Sequence, residues 1–330
     1  MKNLNNLNIL ITGGTGSFGK GFINYIIKKK ILFKKIIVLS RDEYKQEVLE
    51  KTIPPKLKKK FRFFLGDIRE KSRLISAFNT ADLVIHAAAL KQVPKAEYDP
   101  FEFVQTNILG SQNVINAALE TGVKKVIALS TDKASSPANL YGATKLCSDK
   151  LFLAANNIKG FRNISFSVLR YGNVFGSRGS IYNIIKTNPK FIHMTDSRMT
   201  RFHITLDQAV ELCIWGIKNS IGGEIIVPKL SSYKLVDFIK AISPKSKILK
   251  LGIRPGEKIH EEMISIHENR NTLELKDKYL ICNEFLKKKI SSHFSKKMRV
   301  KRTDKNFFYS SEKNKFLTIK QLKDIPYKKK

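Results

Sequence analysis

Six short aliphatic runs, each followed by a longer amphipathic stretch, constrain this chain more than any other feature. Asn8 to Thr12, Lys35 to Ser40, Phe61 to Leu65, Asp82 to His86, Lys125 to Ser130 and Ile164 to Tyr171 read as strands. Their near-continuous apolar character belongs to strands buried on both faces. Ser17 to Lys29, Glu43 to Lys51, Glu70 to Phe78, Phe101 to Thr121 and Tyr141 to Asn156 read as intervening helices. Pro54-Pro55 stops the second of these and Gly122 ends the fourth. Strands alternating with helices predict a doubly wound α/β domain, a parallel sheet with helices on both faces and right-handed crossovers. After Asn173 the rhythm breaks into short strands, loops and small helices. The expected organisation is a nucleotide-binding domain over 1–172, with some later segments returning to it, a smaller substrate lobe over 173–284, and a Lys-rich, loosely attached arm over 285–330.

Composition excludes several classes. Hydrophobic residues make up 42% of 330, enough for a sizeable core. No run approaches the roughly 18 consecutive apolar residues of a membrane span, and the N-terminus lacks the apolar region and cleavage site of a signal peptide. Cys147, Cys213 and Cys282 are odd in number and not in metal-ligand pairs, which points to a reducing, cytoplasmic setting and no metal. The net charge of +33 invites a polyanion partner, but only 13 of the 61 basic residues are Arg. Phosphate and base recognition favours the Arg fork, and no aromatic residues interleave with the Lys runs as on a nucleic-acid platform. The charge reads as a solvated Lys-coated surface, with no specific nucleic acid and no membrane as partner.

The first strand runs into Thr12-Gly13-Gly14-Thr15-Gly16-Ser17-Phe18-Gly19 and then a helix. Glycines at 13, 16 and 19 allow a tight turn, close backbone approach to a pyrophosphate and a helix N-terminus aimed at the anion. The order strand, loop, helix makes this a dinucleotide site. At the end of the second strand, where NAD sites usually place a carboxylate, the chain has Ser40-Arg41. A guanidinium there can grip a 2′-phosphate, with Lys45 one turn on, so the expected cofactor is NADP. Asp67 and Ile68, after the third strand, fit an adenine contact, and Ala87 belongs to a small-residue run that lets the cofactor lie across the strand ends.

Tyr141 and Lys145 lie four apart at the start of a helix and share a face. A lysine cation beside a phenol lowers its pKa from about 10, making Tyr141 a usable base. Lys145 can also hold the nicotinamide ribose. Ser130 and Thr131 end the preceding strand, where a hydroxyl can meet the substrate alcohol.

With the glycine loop, this pair resembles the extended short-chain dehydrogenases/reductases of the Rossmann fold, which reshape nucleotide sugars. Asp132-Lys133, Asn139 to Lys145, Ser40 to Glu43, His86 to Lys91, Arg170 to Val174, Gly176 to Ser180, Gly252 to Lys258 and His260-Glu261 are similar to the C5-inverting UDP-N-acetylglucosamine 4,6-dehydratases of pseudaminic acid biosynthesis, over essentially the whole chain. The resemblance implies a hydro-lyase in which Tyr141, Lys145 and Thr131 serve oxidation at C4 by NADP. Lys133 then removes the C5 proton as a neutral amine, its pKa lowered by burial and local cations, while Asp132 assists loss of the 6-hydroxyl. It also implies UDP-GlcNAc contacts at Lys91, Asn173, Arg178, Thr195, Arg201, Arg254 and Glu257, with Lys91 and Asn173 near the cofactor too. Relatives form dimers or hexamers, so a homo-oligomer is expected. His203 stands where a larger aromatic is usual and reads as a packed loop histidine. A capsule-type dehydratase/5-epimerase, another nucleotide-sugar epimerase and a non-catalytic NADP-binding regulator stay as alternatives.

Overall fold

A computed structural model describes residues 4–177, 179–187 and 189–325. The expected alternation is present, with β1 Leu4–Thr12, α1 Ser17–Lys28, β2 Phe33–Ser40, α2 Glu43–Lys51, β3 Phe61–Leu65, α3 Lys71–Phe78 and β4 Leu83–His86 in succession. Short helices α4 Val93–Tyr98 and α5 Pro100–Phe103 then lead through a π-helical stretch, Val104–Leu109, into α6 Gly110–Glu120. The single helix expected over 101–121 is thus widened in the middle. There the buried Asn107 side chain holds both Leu90 N and Leu90 O and donates to Thr144 Oγ1. β5 Lys125–Leu129, α7 Leu140–Ile158 and β6 Ser165–Leu169 complete the first half.

The second half comprises α8 Ile181–Ile185, β7 Phe191–Met194, β8 Thr200–Phe202, α9 Leu206–Asn219, β9 Glu224–Pro228, β10 Ser232–Lys234, α10 Leu235–Ile242 and β11 Lys247–Lys250. After these come β12 Glu262–Ile264, α11 Ile266–Asn269, β13 Thr272–Glu274, β14 Lys278–Cys282, α12 Lys287–Ser295, β15 Lys301–Arg302, β16 Tyr309–Ser310 and α13 Ile319–Lys323. One ten-stranded sheet runs in the order β15-β13-β14-β9-β6-β5-β4-β1-β2-β3. It is parallel from β3 to β9 and antiparallel beyond.

Strand alternation divides the core. Ile9, Ile11, Ile36, Val38, Ile127 and Leu169 face α1, α9 and α12, whereas Leu10, Ile37, Val84, Val126, Phe166 and Val168 face α3, α6 and α7. Chain order reverses between β1 and β4, and ligands of open α/β sheets bind at the carboxyl ends of strands beside such a switch. A third cluster, with Met194, Tyr233, Phe238 and Leu322, forms the core of the small lobe.

Residues 285–325 are anchored to the rest of the fold rather than forming a loose arm. Ile290 and Phe294 are buried against the sheet, β15 extends the sheet edge, β16 pairs with β12, and Leu322 is fully buried against α10. The lysines of this segment mask these anchors in the sequence because the buried apolar residues, Ile290 with Phe294, Tyr309 and Leu322, are spread over three separate contacts.

Candidate functional site

The glycine loop leaves β1 and turns at Gly13, whose φ is 65° and whose absent Cβ would lie 2.8 Å from Ala88 Cα. Gly16 N donates to Gly13 O at 2.8 Å and Gly16 stands at the N-cap of α1 with no side-chain cap, so the loop presents a helix N-terminus suited to an anion. Gly19 packs the helix onto the loop, since a Cβ there would meet Gly14 O at 2.2 Å. The Phe18 side chain stacks on Phe22 and packs against the core, so only its backbone is left to face a cofactor. The loop opens into a cavity of about 300 Å³ that Gly13, Thr15, Gly16, Ser40, Arg41, Lys45, Asp67, Ile68 and Ala87 all line. Ser17 lies next to it in the first turn of α1.

Around that cavity the Arg41 side chain is half exposed and its Nη1 lies 3.4 Å from Asp67 Oδ2. Asp42 caps α2 and takes the Lys45 ammonium, so the carboxylate nearest the end of β2 is already paired. Burial acts to raise Asp67, but hydrogen bonds from Arg69 N and Nε and the charges of Arg69 and Arg41 prevail and hold it below the usual range. Thr106, from the π-helical stretch, also lines the cavity, and its Oγ1 is buried without a hydrogen-bond partner. No sequence signal marks Thr106, because it reaches the cavity from a helix with no motif of its own.

The end of β5 supplies the second half of the site. Thr131 Oγ1 donates to Asp132 Oδ1 at 3.0 Å and accepts from Lys133 N, closing a single 3-10 turn over Asp132–Ala134. α7 starts beside it: Asn139 caps Gly142 N at 2.8 Å, and Gly142 sits so close that a Cβ would lie 2.3 Å from Lys133 O. Tyr141 and Thr131 share a side-chain hydrogen bond. Lys133 Nζ donates to Asp132 Oδ1 at 3.1 Å, Glu261 Oε1 at 2.9 Å and Asn173 Oδ1 at 3.5 Å, with its side chain 19% exposed.

Two electrostatic expectations are corrected. Burial alone would make the Lys133 amine neutral, but Asp132 and Glu261 outweigh it and raise its pKa, so the resting group is an ammonium. Tyr141 is pushed up to about 12, chiefly by burial, with Lys133 and the Thr131 hydrogen bond opposing. Lys145 is not the cation acting on that phenol. Its Nζ donates to Leu129 O at 2.9 Å, and burial lowers it against the pull of Asp149. Burial raises Asp132, whose Oδ2 has no partner, whereas the cations Lys133 and Arg201 hold Glu261 low against burial. The Ser130 hydroxyl is engaged within the protein: its Oγ donates to Asp149 Oδ2, which also accepts from the fully buried Arg170.

The remaining expected contacts divide. Asn173 joins the Lys133 cluster, and Lys91 is exposed beyond β4. Thr195 is buried with its Oγ1 on Met199 Sδ. Arg201 is committed to the carbonyls of Thr200, Ile259 and Lys258 and lies 3.6 Å from Glu261, so it braces the cluster and has little left for a diphosphate. Arg254 is exposed at a turn that Glu257 closes onto Arg254 N, while Gly256 O receives Asn139 Nδ2 at 2.8 Å. Arg178 lies outside the described residues. His203 sits among rings, 5.4 Å from Phe175 and 6.3 Å from Tyr233, and burial lowers it to about 4. Among the described residues no group of His, Cys, Asp and Glu could hold a metal, and no helix is long and apolar enough to cross a membrane.

A Rossmann sheet with a glycine loop at its switch point and a Tyr-x-x-x-Lys helix beside it defines an extended short-chain dehydrogenase/reductase. The chain belongs to the family described as polysaccharide biosynthesis protein, whose profile matches residues 9–283. It is 46% identical over 331 residues to the UDP-N-acetylglucosamine 4,6-dehydratase (inverting) of Campylobacter jejuni subsp. jejuni serotype O:23/36 (strain 81-176), covering 97% of each chain. The enzyme of the same name from serotype O:2 (strain ATCC 700819 / NCTC 11168) is 50% identical over 283 residues, 84% of this chain and 83% of that one. Among solved structures, Pen from Bacillus thuringiensis aligns with a TM-score of 0.86 at 36% identity, covering 98% of both chains.

Proposed function

We propose that the protein converts UDP-GlcNAc to a C5-inverted 4-keto-6-deoxy nucleotide sugar, as a hydro-lyase with resident NADP, in the cytoplasm and as the first step towards pseudaminic acid. The observation that carries this reading is the buried Asp132-Lys133 pair beside Tyr141 at the carboxyl ends of the strands. An epimerase acting only at C4 needs neither an acid at C6 nor a base at C5, and a regulator needs none of these groups. The names of the two Campylobacter relatives point the same way.

The residues present fit a nicotinamide dinucleotide. The uncapped N-terminus of α1 suits the pyrophosphate, the orphaned Thr106 Oγ1 offers a hydroxyl to a ligand in the cavity, and the Arg41 guanidinium suits a 2′-phosphate. When bound, NADP supplies the hydride acceptor for C4 and the donor for C6. Tyr141, as its phenolate, takes the proton of the 4-hydroxyl; the Lys133 charge and the Thr131 hydrogen bond favour that phenolate, while burial opposes it and keeps the phenol's pKa raised. The 4-keto group acidifies C5, Lys133 removes that proton, and Asp132, which burial favours in its neutral form, protonates the departing 6-hydroxyl. Association into a homo-oligomer is supported by Tyr98, Phe101 and Leu109, large apolar side chains 86%, 61% and 50% exposed.

The test is incubation of the purified protein with UDP-GlcNAc and no added reductant. The expected product is a 6-deoxy-4-keto sugar whose NMR couplings show inversion at C5; a 4-epimer alone would overturn the reading. Lys133→Met should lose turnover by about 10²–10⁴-fold while still binding NADP.

A further inference from the structure

A lysine held as an ammonium cannot accept a proton, so the site needs somewhere for one of its protons to go. The structure offers one partner, from the His260-Glu261 stretch, to which the sequence assigned no role. Glu261 lies 128 residues from Lys133 in sequence, and its Oε1 is 2.9 Å from Lys133 Nζ. It is only 2% exposed. It is also tightly placed: Glu261 N donates to Ser311 Oγ at 2.9 Å, Ser311 N donates to Glu261 O at 2.7 Å, and Arg201 Nε stands 3.6 Å from the same carboxylate oxygen. The second oxygen, Oε2, is buried and has no partner.

Building on the dehydratase reading, we propose that Glu261 is the positioning partner that takes the Lys133 ammonium proton as Lys133 removes the C5 proton of the sugar. In that step one Nζ–H bond breaks and an O–H bond forms on Glu261. The Nζ lone pair takes the C5 proton, and the C5–H electron pair passes into the enolate of the 4-ketone. Glu261 ends neutral, Lys133 is an ammonium again and the sugar carries the negative charge, so charge and protons balance. The transfer is uphill at rest, because the pair's mutual attraction raises Lys133 and holds Glu261 low, and it goes forward only in concert with proton removal from the acidified C5. Asp132, the other carboxylate on Nζ, remains available as the acid for the 6-hydroxyl.

The experiment compares wild type, Glu261→Gln and Glu261→Asp, each supplied with NADP and UDP-GlcNAc in D₂O. Reduced-nicotinamide absorbance in a single turnover reads the C4 step, and NMR reads deuterium entering at C5. Glu261→Gln is expected to keep C4 oxidation within about threefold while C5 exchange falls by about 10²-fold or more, the size of one general-base contribution. Exchange in that variant should climb close to tenfold per pH unit, because only the rare neutral amine works without an acceptor, whereas wild type should show no such climb. Glu261→Asp should restore part of the exchange. Equal losses of C4 oxidation and C5 exchange would show a merely structural role and overturn the proposal, as would unchanged exchange. If Glu261→Gln does not fold, the same comparison on Glu261→Asp decides. Failure of wild type to dehydrate UDP-GlcNAc would instead overturn the dehydratase reading, so the two failures are distinguishable.

Discussion

Lys133 shows how far a side chain's chemistry depends on its neighbours. Desolvation and two carboxylates act on its amine in opposite directions, and the carboxylates win. At Arg41 the balance is simpler, a half-exposed guanidinium at the mouth of a cavity with the nearest acid of α2 already paired. Arg41→Ala should weaken NADP binding by about tenfold or more, the loss of a charged hydrogen bond, and change NAD affinity little; calorimetric titration with both cofactors measures the difference. Glu224 is a separate case. Burial raises it to about 7, although Ile221 N and Ser167 Oγ donate to its Oε1. Its folded value lies above the ordinary 4.5, so the folded state holds the proton more tightly, and the stability present at acid pH is lost as pH rises through 7. The full effect is about 3 kcal/mol. Urea titrations of wild type should therefore lose stability between about pH 5 and pH 8 relative to Glu224→Gln, which has no proton to lose.

At the scale of elements, the site depends on how closely two of them approach. The first turn of α7 abuts the 3-10 turn that carries Lys133, and this contact exists because residue 142 has no side chain. Gly142→Ala would favour the helix by about 1 kcal/mol in isolation, yet its methyl would fall 2.3 Å from Lys133 O. The turn must then move, carrying Lys133 away from Glu261. Under the proposed chemistry C5 exchange in this variant should drop by 10-fold or more, about the cost of a misplaced group, while NADP affinity stays near wild type. The π-helical stretch works the same way for the cofactor: it lets Asn107 clamp the β4 loop to α7 while Thr106 turns to the cavity.

For the whole molecule, residues 287–325 tie the large sheet to the cluster of Met194, Tyr233 and Phe238. α13 closes the small-lobe core through Leu322, fully buried with Tyr233, Phe238 and Ile239. Ser311, between β16 and α13, ties to Thr200 and to the backbone of Glu261, so the C-terminal segment reaches the reactive cluster. Leu322→Ala should cost about 2–5 kcal/mol by transfer and cavity terms. Thermal unfolding checks this, and the loss should appear in the overall midpoint because the lobe shares contacts with the sheet.

The first six strands, the helices between them and the glycine loop were legible from local pattern, since parallel strands are apolar on both faces and a phosphate loop needs its glycines in one short run, whereas β9, β13, β14 and β15 on the same sheet were not. That Tyr141 and Lys145 share one helix and Asp132 and Lys133 one short turn was legible too, because each pair lies within one turn of chain. Only the tertiary structure decided the protonation of Lys133, the turning of Ser130 towards Asp149, the commitment of Arg201 to backbone carbonyls and the packing of the Lys-rich tail. Each of these depends on a partner distant in sequence, and a pKa or a buried contact is set by what surrounds a group in space. Glu261, 128 residues from the lysine it holds, is the plainest instance.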